Sequence, residues 1–84
     1  MKYQILIQRT AQKDLSKIAS PHRDRVIQAI RELANNPRPA GSKKLTGRNA
    51  WRIRIGDYRV IYEIYDDKLI IVVITIGHRR EVYR

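Results

Sequence analysis

The stretch 50–65, Ala-Trp-Arg-Ile-Arg-Ile-Gly-Asp-Tyr-Arg-Val-Ile-Tyr-Glu-Ile-Tyr, leaves the chain few alternatives. Apolar and polar residues alternate on both sides of Gly56-Asp57, and a two-residue period belongs to a strand with one face buried. Gly-Asp between two such runs predicts a two-residue hairpin turn, with glycine at the position that needs positive φ. Ile55 then pairs with Tyr58, Arg54 with Arg59, and Ile53 with Val60. Trp51, Ile53, Ile55, Tyr58, Val60, Tyr62 and Ile64 share one face, which requires a cover. Arg52, Arg54 and Arg59 share the other, with Arg54 directly across from Arg59.

The remaining chain supplies that cover. Residues 2–8 alternate as a strand, with Tyr3, Ile5 and Ile7 on one face. Thr10 is placed to cap a short helix carrying Ala11, Leu15 and Ile18 at helical spacing. Ser20-Pro21 restarts the chain as a cap followed by proline at the first helical position. Val26, Ile27, Ile30, Leu33 and Ala34 then form one apolar stripe, which Asn35-Asn36-Pro37 ends. Residues 37–49 read as a long surface loop anchored by Leu45, and its Lys43, Lys44 and Arg48 are candidate contacts for RNA. Strands at 50–55, 58–65 and 68–77 complete the order, the last two joined at Asp66-Asp67. The expected fold is α+β, β-α-α-β-β-β: one antiparallel sheet with a two-helix hairpin on one face, a single domain over 1–84. Continuing the register through the second hairpin brings Ile74, Ile76 and His78 onto the face of Arg59.

Directly opposed side chains stand roughly 5 Å apart at Cβ, where like charges repel. No carboxylate lies close to the three arginines to relieve them: Asp57 is in the turn and Glu63 is further along. The pattern suits a face meant for an anion, because the guanidinium fork matches phosphate oxygens. Composition agrees, with 18 Lys+Arg against 8 Asp+Glu and a formal charge of +10. The bland reading is a solubilising surface of long arginines, which is common on strands. Trp51 reads as core rather than as a base-stacking platform, and His22 as a surface residue. With no cysteine, no HxxxH and no paired acidic ligands, neither a metal site nor a thiolate nucleophile is expected. With no glycine-rich strand-to-helix loop, no nucleotide cofactor is expected either. The apolar run 69–76 is far short of the ~20 residues that cross a bilayer. The N-terminus has no basic-then-apolar leader, so the expectation is a cytoplasmic protein with no membrane partner.

Lys44-Leu45-Thr46-Gly47, Trp51-Arg52-Ile53-Arg54-Ile55, Asp57-Tyr58-Arg59-Val60-Ile61-Tyr62 and Ile76-Gly77-His78-Arg79-Arg80-Glu81-Val82-Tyr83 occur in this order over an 84-residue chain. In these segments and their spacing the chain resembles the RelE/ParE superfamily of bacterial and archaeal toxins, its RelE branch in particular. The resemblance implies an endonuclease that cuts mRNA in the ribosomal A site, against 16S rRNA, and stops translation. It also implies a cognate acidic antitoxin of RelB type that wraps a monomeric toxin. The family's basic pair falls on Arg52 and Arg54, where the best-known members carry lysines. Its next arginine falls on Arg59, its arginine after the last strand on Arg79, and its C-terminal tyrosine on Tyr83. Arg79 and Tyr83 are closer together here than in some members, so Arg80 or His78 could share the role of Arg79. Arg80 and Arg84 join Lys43, Lys44 and Arg48 as expected RNA or ribosome contacts.

Without a metal, such an enzyme uses the RNA's own 2′-OH to attack the adjacent phosphate. Arg52, Arg54 and Arg59 would hold that phosphate. Arginine stays protonated and is a poor base, so proton transfer falls to Tyr83 or to His78. Two other readings remain: a ParE-like inhibitor of DNA gyrase, and a non-catalytic RNA-binding module.

Overall fold

The computed structural model of the chain describes residues 2–78. Its elements are β1 (Gln4–Ile7), α1 (Arg9–Ser16), α2 (His22–Glu32), β2 (Lys43–Lys44), β3 (Trp51–Ile55), β4 (Tyr58–Tyr65) and β5 (Ile70–His78). The central hairpin forms in the expected register, with Ile55 opposite Tyr58, Arg54 opposite Arg59 and Ile53 opposite Val60. Gly56 takes φ +59° in the turn between them, a backbone conformation that L side chains avoid.

The five strands form one sheet in the order β1-β5-β4-β3-β2. The order of elements is the one expected, but the sheet is mixed: β1 runs parallel to β5, with Ile5 opposite Ile71 and Ile7 opposite Val73. The helices carry the chain over one face to the far edge, and the hairpins bring it back beside its starting strand. A four-residue alternating strand looks the same whichever direction its neighbour runs. The short β2 is the second departure, since Lys43 and Lys44 pair with Arg52 and Trp51 instead of lying in a free loop.

The two helices cover one side of the sheet. Ala11, Ile18, Val26, Ile30 and Leu33 meet Ile53, Val60, Tyr62, Ile64, Ile71, Val73 and Ile76 in a single buried cluster. Trp51, Ile55 and Tyr58 pack against its margin, as do Tyr3, Ile5 and Ile7. Helix entry differs from expectation. The N-cap of α1 is Gln8, with Thr10 already inside the first turn, and the N-cap of α2 is Pro21, after a cis Ser20–Pro21 bond. Neither cap residue makes a side-chain cap bond, and both helices draw their stability from the apolar stripe beneath them. In the loop, Leu45 is only half-buried, and Ala50 is the residue fully seated in the interior.

The second hairpin holds the largest correction. It turns through 66–69, with Leu69 at φ +54°, and Tyr65 pairs with Ile70. Further along, Ile61 lies opposite Thr75 while Tyr62 lies opposite Val73, so Ile74 is an extra residue: a β-bulge. One inserted residue reverses which face every later side chain occupies. Arg59 therefore lies opposite Gly77, Val60 opposite Ile76, and Tyr58 opposite His78. Ile76 is a core residue at 3% exposure, and His78 stands with Tyr58 on the helix face, not beside Arg59.

Candidate nucleic-acid interface

Residues that pair directly share a face, so the strand register builds the outer surface one position at a time. Lys43 on β2 lies opposite Arg52 on β3, and Arg54 on β3 lies opposite Arg59 on β4. Four cations from three adjacent strands thus stand on the side away from the helices. Lys43 and Arg54 are exposed, Arg52 is half-buried, and Arg59 is buried at 2% exposure. Burial of Arg59 is the feature that sequence reasoning missed, since alternation marked this face as solvated. Ile61 on the same face of β4, at 8% exposure, shows the reason: the middle of β4 is covered on both sides. The Nε of Arg52 is shielded from solvent and has no hydrogen-bond partner among the described residues. An unsatisfied buried donor costs about 1–3 kcal/mol and more when charged, a state that an anionic ligand relieves.

The nearby carboxylates are placed as expected. Glu63, two steps beyond Ile61 on the same face, accepts a bond from Tyr65 Oη at 2.6 Å. Asp57 sits exposed in the turn. Asp66 lies in the turn at the far end of β4, where it holds Arg38 with N–O distances of 2.8 and 3.3 Å and accepts from Tyr3 Oη at 2.6 Å. The guanidinium of Arg38 also lies 5.1 Å from the Trp51 ring centroid, a cation–π distance. Tyr62 Oη donates to Pro37 O at 2.7 Å. These contacts fasten the start of the 37–49 segment to the sheet and so present Lys43 and Lys44 at its edge. Arg38 and Tyr3 hold the Asp66 carboxyl below its usual range, while burial pushes the Tyr62 phenol up to about 12.

The remaining candidates separate. Lys44 pairs with Trp51, and Arg48 is exposed in the loop. His78 packs edge-on against Tyr58, with ring centroids 5.6 Å apart, and His22 approaches the same ring at 6.1 Å. Arg79, Arg80, Tyr83 and Arg84 lie outside the described residues. Among the described residues no three His, Cys, Asp or Glu side chains gather as a metal site, and no helix is long and apolar enough to cross a membrane.

Comparison with known proteins finds this sequence pattern and this fold in a family of small toxins. The family model for the ParE toxin of type II toxin–antitoxin systems (parDE) matches residues 5–83. The chain belongs to this toxin family. Within it the chain is RelE-like. It is 30% identical to Toxin RelG of Mycobacterium tuberculosis, over all of this chain and 99% of that protein. It is 28% identical to the mRNA interferase toxin RelE of Escherichia coli K12, over 99% of this chain and 92% of that protein. Among solved structures, the toxin superposes on a chain of the archaeal RelE–RelB complex from Pyrococcus horikoshii with a TM-score of 0.84 and 28% identity, covering 94% of this chain and 97% of that one. The RelBE2 toxin–antitoxin complex of M. tuberculosis gives 0.82 and 27%, covering 94% and 100%.

Proposed function

We propose that this RelE-like toxin is a ribosome-dependent mRNA endonuclease that needs no metal and is neutralised by an acidic, RelB-like antitoxin. The observation that carries the reading is the outer face itself, where Lys43, Arg52, Arg54 and the buried Arg59 converge from three strands. The relatives named mRNA interferase give the same direction. In this reading Arg59 and Arg54, with Arg52, hold the scissile phosphate and neutralise the charge that builds on it when the 2′-OH attacks. A guanidinium held in a mostly buried site acts with less dielectric screening than one in water. Tyr83 is the candidate for proton transfer or for stacking on a base. His78 stands with Tyr58 on the helix face, away from the arginines, and drops out of this role. Arg79 completes the clamp by resemblance. Lys43, Lys44, Arg48, Arg80 and Arg84 supply backbone contacts to mRNA and 16S rRNA.

For the antitoxin, among the described residues β2 pairs only with Trp51 and Arg52, which leaves the edge of β3 beyond them beside a groove lined by Ala29, Leu33, Pro39, Gly41, Ile53 and Ile55. An extended apolar segment could add to that edge, with its acidic residues toward the arginine face.

The deciding experiment is induced expression with mapping of mRNA 5′ ends, comparing the wild type with Arg59→Ala. In-frame cuts are expected, falling on the order of 10²–10³ in the variant, the usual loss for one preorganised donor. Growth arrest with intact mRNA and broken DNA would replace this reading with gyrase inhibition. RNA affinity without toxicity would leave only an RNA-binding module.

A further inference from the structure

Strand β1 stops at Ile7, which pairs with Val73, and Gln8 N–H donates to Val73 O at 3.0 Å as the last bond along that edge. Beyond Val73, β5 has no strand on this side among the described residues. This is also where the bulge at Ile74 interrupts the pairing with β4. A strand end with one free edge and a defect on the other is poorly specified and prone to slip by one residue.

A side chain from α1 takes over there. Asp14 Oδ2 accepts the backbone N–H of Ile76 at 3.0 Å and the hydroxyl of Thr75 at 3.1 Å, the two residues that follow the bulge. The helix presenting this carboxylate is itself fixed, since Ala11 is fully buried and Ile18, just past its end, is 6% exposed. The register held in this way has a consequence across the sheet. It sets Gly77, which has no side chain, opposite Arg59. A slip of one residue either way would put Ile76 or His78 there, with a bulky side chain roughly 5 Å from Arg59 at Cβ.

We propose that Asp14 is a positioning residue of the arginine site: its carboxylate locks the β5 bulge and keeps the space beside Arg59 clear. Only the kinetic arm of the test rests on the mRNA-cleaving reading.

The test compares wild type with Asp14→Ala, Asp14→Asn and Thr75→Val. Single-turnover cleavage of mRNA on ribosomes is expected to fall on the order of tenfold or more in Asp14→Ala, since small displacements at a reacting centre reach 10²-fold. Ribosome affinity should stay unchanged. Asp14→Asn keeps an oxygen that can accept the Ile76 N–H and should recover most of the rate, and Thr75→Val should remain near wild type. Amide exchange at Ile76 and Gly77 should accelerate in Asp14→Ala alone. A wild-type rate in Asp14→Ala would overturn the proposal. So would a joint loss of rate, affinity and melting temperature in both Asp14 variants, which marks a merely structural carboxylate. If the wild-type protein itself cuts no mRNA, the functional reading fails, and the exchange data still decide the lock: unchanged exchange in Asp14→Ala overturns it, and faster exchange sustains it.

Discussion

Arg54 and Arg59 stand at directly opposed positions of a β-hairpin, two cations side by side on one face. Arg54→Gln is expected to lower mRNA cleavage on the order of 10²-fold, the usual loss for one preorganised donor, while the denaturant midpoint changes little; equal loss of both would show that the residue serves stability. A different balance holds at Asp66. Its folded-state pKa is lowered by Arg38 first and by Tyr3, so its contribution is fully present above the ordinary value of 3.8 and is lost as pH falls through the lower folded value. Acid titration of stability should show this loss below about pH 4 in the wild type and not in Asp66→Asn. Tyr62 behaves in the opposite sense. Its phenol is raised from 10.0 to about 12 by burial, so the folded state favours the neutral form. That contribution is present below pH 10 and disappears between there and about 12. Tyr62→Phe should remove this alkaline dependence and, by deleting the bond to Pro37 O, cost about 1 kcal/mol at neutral pH.

At the level of elements, the helices are short and lack side-chain caps, so their packing decides whether they form. Leu33, at the end of α2, is 1% exposed and packs in the central cluster. Leu33→Ala is expected to lose about 2–5 kcal/mol, read by chemical denaturation, because a thin core cannot collapse around the hole. The bulge in β5 is the other element on which the molecule turns. It ends the alternation that held from Val72 back to Ile70, and it brings Ile76 into the core while leaving Gly77 against Arg59. The strand's free edge is then held by a side chain of α1, so a helix far from the basic face sets the register behind it.

For the molecule as a whole, the +10 charge and the one-sided helical cover act together. The cover leaves the other side of the sheet to carry the arginines, and net charge favours encounter with any polyanion. Replacing both Lys43 and Lys44 with glutamine should weaken RNA binding to a similar degree across sequences. For each lysine that touches a phosphate, the salt dependence on single-stranded RNA should become shallower by about 0.7 in log–log slope. A change confined to certain sequences would instead point to base contacts by these side chains. An 84-residue chain buries only roughly 60% of its unfolded surface, so an antitoxin that binds the folded toxin should raise its melting temperature, by an amount that grows with the logarithm of its affinity.

Local pattern was enough for the central hairpin. Alternation around Gly56-Asp57 determined the register, the face that meets the helices and the confrontation of Arg54 with Arg59, because these depend on residues close together in the chain. The helical stripes were readable for the same reason, and the order of elements followed. Only the tertiary structure decided that β1 lies parallel to β5, since a strand's own residues do not record its neighbour's direction. It alone set Lys43 opposite Arg52 and buried Arg59, since both depend on segments distant in sequence. The bulge at Ile74 escaped because 69–76 is apolar almost throughout, and a run without alternation carries no mark of where one residue is skipped. What holds that skip in place is a carboxylate 62 residues before Ile76, brought to it by the fold.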